Sequence, residues 1–230
     1  MIDWFPTPPG DMTSAPQRDL LRWQGFVHLR AIARRIDSLD STTAGHSERV
    51  AELAGRLAVE LGWPGSPVRR LREAALVHDV GKISVPEEVL LTPGGLSFEQ
   101  YEVVKGHAAV GAGLVASALT ERQVSWVRHH HERWDGRGYP DGVACEDIPD
   151  GAAILCVADS WDAMRSRAWV GQPLTIAEAM DECSRESGHQ FAPWAVGVLE
   201  AVVTEASRRT PSLARPRWDA RTTSSAGLAA

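Results

Sequence analysis

The sequence predicts an all-α helical bundle. Apolar residues recur at helical spacing in segment after segment. Three Ser/Thr-x-x-Gln/Glu capping signatures mark helix starts at Ser97, Thr120 and Thr175. No alternation of the strand kind persists anywhere in the 230 residues.

Taken in order, residues 1–17 are rich in Pro, Gly and polar residues and read as a flexible leader. A first helix starts near Leu20 with Leu21, Phe26, Leu29, Ile32 and Ile36 on one stripe, and Asp37 to Gly45 is a polar break. Val50, Leu53, Ala54, Leu57, Ala58 and Leu61 form the clearest apolar face in the chain, ended by Gly62. The next helix is expected from Pro67 to Asp79, followed by a turn-rich loop from Thr92 to Ser97. A helix from Ser97 to Ser117 comes next, then a short one from Thr120 to the histidines. Residues 132–150 are a long Gly/Pro/Asp loop, of a length that is usually functional or disordered. Helices are expected from Gly151 to Arg165, from Thr175, and from Pro193. Residues 208–230 read as a disordered tail, leaving 18–207 as one domain.

The net charge of −6 argues against a nucleic-acid polymer as partner, because a phosphate backbone selects a cationic surface. No apolar run reaches membrane-spanning length and no secretory signal is present, so the expected location is cytoplasmic. Three cysteines, Cys145, Cys156 and Cys183, are odd in number and lack metal-site spacing. The basic residues are 22 arginines and only two lysines, Lys82 and Lys105, so each lysine calls for a reason.

His46, His78, His107, His130 and His131 each sit on or at the end of an expected helix. His46 precedes Val50 by four residues, His78 follows Leu71 and Ala75, and His107 lies between Val103 and Val110 on what reads as one stripe. A lone histidine on an apolar face is ordinarily a core residue. Several of them, joined by Asp79 and by Asp159 in an apolar run, point elsewhere, since a buried carboxylate is costly unless a cation offsets it. Imidazole and carboxylate together suit divalent Fe, Mn or Zn, and seven ligands suit two ions bridged by one carboxylate. Lys82, three residues after Asp79, is placed to contact a phosphate oxygen and offset developing charge.

The runs HSERVAELA (46–54), HDVGKI (78–83), His107, HHERWDGRGYPDG (130–142) and VADSWDAM (157–164) resemble the HD-GYP family of bacterial cyclic di-GMP phosphodiesterases, within the HD superfamily of metal-dependent phosphohydrolases. The resemblance covers roughly residues 20–205. It implies an HD-domain bundle with a C-terminal helical extension. It also implies two divalent ions, iron or manganese: one on His46, His78, Asp79 and Asp159, the other on His107, His130 and His131, with Asp79 bridging. Lys82 would contact the scissile phosphate, and Gly138, Tyr139 and Pro140 would border the substrate. His129 falls outside the motif and reads as structural. Thr42 stands where some members have a glutamate for a third metal. Where the family has basic residues after the VAD segment, this chain has Ala168 and Gly171, leaving Arg165 and Arg167 as local basic groups, with Arg167 taken as the substrate contact.

The expected reaction is hydrolysis of cyclic di-GMP to pGpG or GMP by a hydroxide shared between the two ions, with Asp79 and Lys82 in the catalytic role. Two alternatives stand beside it: hydrolysis of another cyclic dinucleotide or nucleotide ester, and a non-catalytic signalling module. A separate sensory or receiver protein and a second copy of the chain are the open protein partners.

Overall fold

A computed structural model of the protein describes residues 15–39, 44–92, 95–166 and 172–204. Nine α-helices are formed among them: α1 (Ala15–Asp37), α2 (His46–Glu60), α3 (Gly65–Ala75), the single turn α4 (Glu87–Leu90), α5 (Phe98–Val115), α6 (Glu121–His129), α7 (Asp150–Ser166), α8 (Ile176–Arg185) and α9 (Pro193–Thr204). The all-α class is as the sequence predicts; the described residues contain no strand, only an isolated bridge between Ser187 and Phe191. No described helix is long and apolar enough to cross a membrane.

All three capping boxes form. Ser97, Thr120 and Thr175 each accept from the backbone N–H three residues on, and Gln100, Gln123 and Glu178 each reach back to the cap amide. α2 lies at the centre, packed on α3, α7 and α9, while α5 and α6 close the side carrying three of the histidines. The α2 stripe is buried as its spacing requires, with Val50, Ala54, Leu57 and Ala58 fully covered.

Several boundaries and faces differ from the sequence reading. α1 begins at Ala15, inside the segment taken as leader, because Pro16 is compatible with a first helical turn. Leu21 on α1 is exposed, so the buried stripe starts at Phe26. α3 ends at Ala75, not at Asp79. From there the backbone tightens into i→i+3 bonds (Val77 to Ala74, Val80 to Val77) and a 3-10 turn over Val80–Ser84. His78 and Asp79 therefore sit in a tight turn after the helix. On α5, His107 is 1% exposed while Val103 and Val110 are 48% and 39% exposed, so the three do not share a stripe. The buried face of α5 is instead Ala108, Gly111, Ala112 and Val115, small residues that let the backbone at Gly81 approach closely. Residues 1–14, Thr42, Arg167, Ala168, Gly171 and 205–230 lie outside the described residues, so the reading of Arg167 and of the tail is not placed.

Candidate metal centre

Five histidines and two aspartates from five separate segments converge at one end of α2. His46 is the first residue of α2, and the Asp37 carboxylate pins that helix start by accepting from Ser47 N at 2.9 Å. His78 and Asp79 come from the turn after α3, His107 from α5, His130 and His131 from just beyond α6, and Asp159 from α7.

Four of the rings are oriented by their outer nitrogen. Nδ1 of His78 lies 2.7 Å from Ala75 O, that of His107 2.7 Å from Val104 O, and that of His130 2.6 Å from Val127 O. Each uses the carbonyl three residues before it. His46 Nδ1 lies 2.7 Å from Asp162 Oδ2. A carbonyl or carboxylate only accepts, so Nδ1 carries the proton and the lone pair sits on Nε2, facing inward.

The inward atoms gather around Asp79, which is buried. Its Oδ2 lies 3.5 Å from His78 Nε2 and 3.9 Å from His46 Nε2, while its Oδ1 lies 3.2 Å from His107 Nε2 and 3.8 Å from His130 Nε2. Each oxygen of one carboxylate thus serves a different histidine pair. Ligand-capable atoms of His46, His78 and Asp79 lie within 4.8 Å of one another, and so do those of Asp79, His107, His130 and His131. Asp159 joins the first group through Oδ1, 3.1 Å from His46 Nε2 and 3.9 Å from His78 Nε2.

The donor set fits divalent cations. His78 Nε2 and Asp79 Oδ1 are buried without a hydrogen bond, a state that is costly unless something else engages them. Nε2 of His107 and Nε2 of His130 are 3.3 Å apart, two lone pairs facing each other when both Nδ1 atoms hold protons. Burial and the neighbouring rings hold His130 down to about 4 and His131 well below the ordinary histidine value, so both stay neutral, as ligands must be. Burial opposes charge on the carboxylates too, yet Asp79 is held well below its usual range by Lys82 and His78, and Asp159 by His46 and His78. At His46 burial is outweighed by Asp159 and Asp162, which raise the ring to about 10. The carboxylates that retain a proton there would retain a metal ion in its place. Lys82 Nζ is 2.5 Å from Asp79 Oδ2, and Asp79 and Asp159 keep it an ammonium against the burial that opposes it.

The loop after His131 is closed over the second group. Tyr139 N bonds His131 O at 3.2 Å, and the Tyr139 ring lies on the His131 ring with centroids 4.9 Å apart. At Gly138 a Cβ would meet Arg133 N at 2.3 Å and His131 O at 2.6 Å, so this position admits no side chain. Pro140 follows in the same loop. His129 lies outside the centre, its nitrogens taken by Ser125 O at 2.8 Å and Asp141 Oδ2 at 2.9 Å.

Three supporting residues escaped the sequence reading. Asp162 orients His46 and is itself held by Arg49 through two bonds of 2.7 and 2.9 Å. Its signal was present: it lies one helical turn after Asp159. Glu132, 1% exposed, accepts from Asp141 N at 2.7 Å and Gly142 N at 3.0 Å, tying the loop closed from beneath. Asp162→Ala is expected to loosen His46 and weaken metal binding by about 10- to 100-fold. Competition with a chromogenic chelator measures this, and parent-like affinity would remove Asp162 from the account.

The chain is also similar to known proteins. The HD domain model matches residues 30–193. A cyclic di-GMP phosphodiesterase from Thermotoga maritima is 39% identical over 176 residues, 74% of this chain and 48% of its own length. The cyclic di-GMP phosphodiesterase response regulator RpfG of Xanthomonas campestris pv. campestris is 37% identical over 174 residues, 74% of this chain and 46% of its own. The chain thus spans about half the length of these curated relatives. Among solved structures, an HDG"Y"P protein from Bdellovibrio bacteriovorus superposes with TM-score 0.60 over 83% of this chain and 65% of its own, at 18% identity, a likeness of fold.

Proposed function

The chain belongs to the HD-domain family, in its HD-GYP branch, and on that premise we propose that it is a metal-dependent phosphodiesterase that opens cyclic di-GMP to pGpG or GMP. The observation that carries the reading is the two-sided Asp79 carboxylate, one oxygen toward His46 and His78 and the other toward His107 and His130. Two iron or manganese ions are the proposed occupants. His46, His78, Asp79 and Asp159 would hold one, and His107, His130, His131 and Asp79 the other. Such ions supply Lewis acidity toward a phosphoryl oxygen and bring the pKa of water toward neutrality.

The protein's own groups do the rest. Lys82, kept cationic beside Asp79, offsets the charge that grows on the phosphoryl oxygens. Asp162 and the carbonyls of Ala75, Val104 and Val127 hold four of the imidazoles in place, so these ligands keep their orientation as charge shifts. The Gly138–Tyr139–Pro140 loop borders the site and excludes water from the His131 side. No side-chain nucleophile is called for.

A second substrate reading is favoured by Ala168 and Gly171, which replace the basic residues of the family pattern. On that reading the substrate is a different cyclic dinucleotide. One experiment addresses both. The iron- or manganese-loaded protein is incubated with cyclic di-GMP, 3'3'-cGAMP and cyclic di-AMP, and the products are resolved by chromatography. Expected is linear or mononucleotide product from cyclic di-GMP, abolished by a chelator and restored by metal. If every cyclic dinucleotide survives the loaded protein, the assignment fails.

A further inference from the structure

The chain has only two tyrosines and two lysines, and contacts link them outward from the centre: Lys82 to Asp79, Tyr139 to His131, Tyr101 to Tyr139 and Lys105 to Tyr101. Lys82 and Tyr139 belong to the site already described. Tyr101 and Lys105 are unused by it. They lie on α5, four residues apart and so on one face, and α5 also supplies His107. Six residues separate Tyr101 from His107, about 9 Å along a helix axis at the standard rise. That is comparable to the reach from a phosphate to the base of the same nucleotide.

The rings are arranged as a corner. Tyr101 meets Tyr139 at a centroid distance of 6.3 Å and an interplanar angle of 89°, and Tyr139 in turn covers His131. Lys105 Nζ stands 5.4 Å from the Tyr101 centroid and 2.5 Å from Glu102 Oε1, so the ring is held by a cation that is itself held. Tyr101 nonetheless remains 46% exposed. An exposed tyrosine on a helix is unremarkable alone. One that is braced by Lys105 and joined ring to ring with Tyr139, which itself covers the candidate ligand His131, offers a preorganised aromatic surface beside the centre. Stacking on such a surface suits any base, because every base has a π-face.

We infer that Tyr101, braced by Lys105 and set perpendicular to Tyr139, is a nucleobase platform that seats one base of the cyclic dinucleotide while its phosphate faces the histidine–aspartate centre. The inference rests on the phosphodiesterase reading and adds to it a binding residue for the base. Lys105 fixes the ring, standing over it while its own ammonium is paired with Glu102.

The test compares two substrates and one binding measurement. Tyr101→Ala is assayed with cyclic di-GMP and with bis(p-nitrophenyl) phosphate, which has no nucleobase. Expected is a rise of about tenfold in KM for the dinucleotide with kcat nearly unchanged, so that kcat/KM for the dinucleotide falls relative to that for the generic diester. Tyr101→Phe, which keeps the ring, restores KM, and Lys105→Ala raises it about threefold. Trp23→Ala, on the exposed face of α1, moves neither substrate. An unchanged dinucleotide KM in Tyr101→Ala overturns the inference. So does an equal loss on both substrates, which would mark a role in holding the loop. Equilibrium binding of cyclic di-GMP separates this from failure of the activity itself. A parent that binds but does not hydrolyse defeats the phosphodiesterase reading, while the Kd of Tyr101→Ala still decides the platform. A parent that does neither overturns both.

Discussion

Asp79→Asn is expected to abolish turnover, with a loss of about a thousandfold or more, because one substitution removes the carboxylate that both ligand groups share. Asparagine nearly preserves the shape of the side chain, so the helices stay formed. What changes is charge. Oδ1 faces His107 and His130, Oδ2 faces His46, His78 and Lys82, and an amide can serve only one side as an acceptor. Elemental analysis should show the metal content falling from about two equivalents toward one or none. Circular dichroism should show parent-like helicity. The contrast with Asp162→Ala is informative, since Asp162 acts only through His46 and its loss leaves the second histidine group intact. An Asp79→Asn protein with parent rates and full metal content would dismantle the two-sided account.

Gly81→Ala is expected to be strongly destabilising for the addition of a single methyl. A Cβ there would stand 2.0 Å from His107 O, 2.5 Å from Gly111 N and 2.9 Å from Gly111 Cα. All three are backbone atoms of α5, so no side chain can swing aside. The turn carrying His78 and Asp79 must separate from the helix carrying His107. We expect a cost of about 3 kcal/mol or more, the upper range for overpacking a core. For a chain of this size that lowers Tm by roughly 6–12 °C. Turnover should fall as well, because the same displacement pulls Asp79 Oδ1 away from His107 Nε2, now 3.2 Å apart. Gly113→Ala, two residues beyond Gly111 and with nothing within 4 Å of its Cβ, is the control, and should leave Tm unchanged or raise it slightly. Thermal melts of the two variants against the parent decide the matter. Equal Tm values for Gly81→Ala and the parent would show that the turn and α5 can part without loss.

These two residues also show how the sequence could be read and where reading stopped. HDVGKI names His78, Asp79 and Lys82 by their chemistry, and Gly81 stands in the same run without declaring its reason. The reason is a close approach between segments 26 and 30 residues apart, which no local pattern encodes. The same approach explains the misread face of α5. Hydropathy gives weight to Val103 and Val110, whereas the helix buries Ala108, Gly111 and Ala112, because small residues allow backbone to meet backbone. Arg49, bonded to Asp162 across 113 positions, was equally invisible to spacing.

What the sequence determined by itself is the material of the protein: helices from their caps and apolar periods, and a set of histidines and aspartates too many and too apolar in setting to be ordinary core. Periodicity records, one segment at a time, which side of a helix leaves water, and that information is local. The tertiary structure alone decided that the α3 turn tightens at Ala75, that Nδ1 of His46, His78, His107 and His130 finds an acceptor, that the two Asp79 oxygens divide those four histidines between them, and that Tyr101 meets Tyr139. Those arrangements depend on how separate helices approach one another, and approach is set by the sum of all packing contacts, not by any stretch of chain read alone.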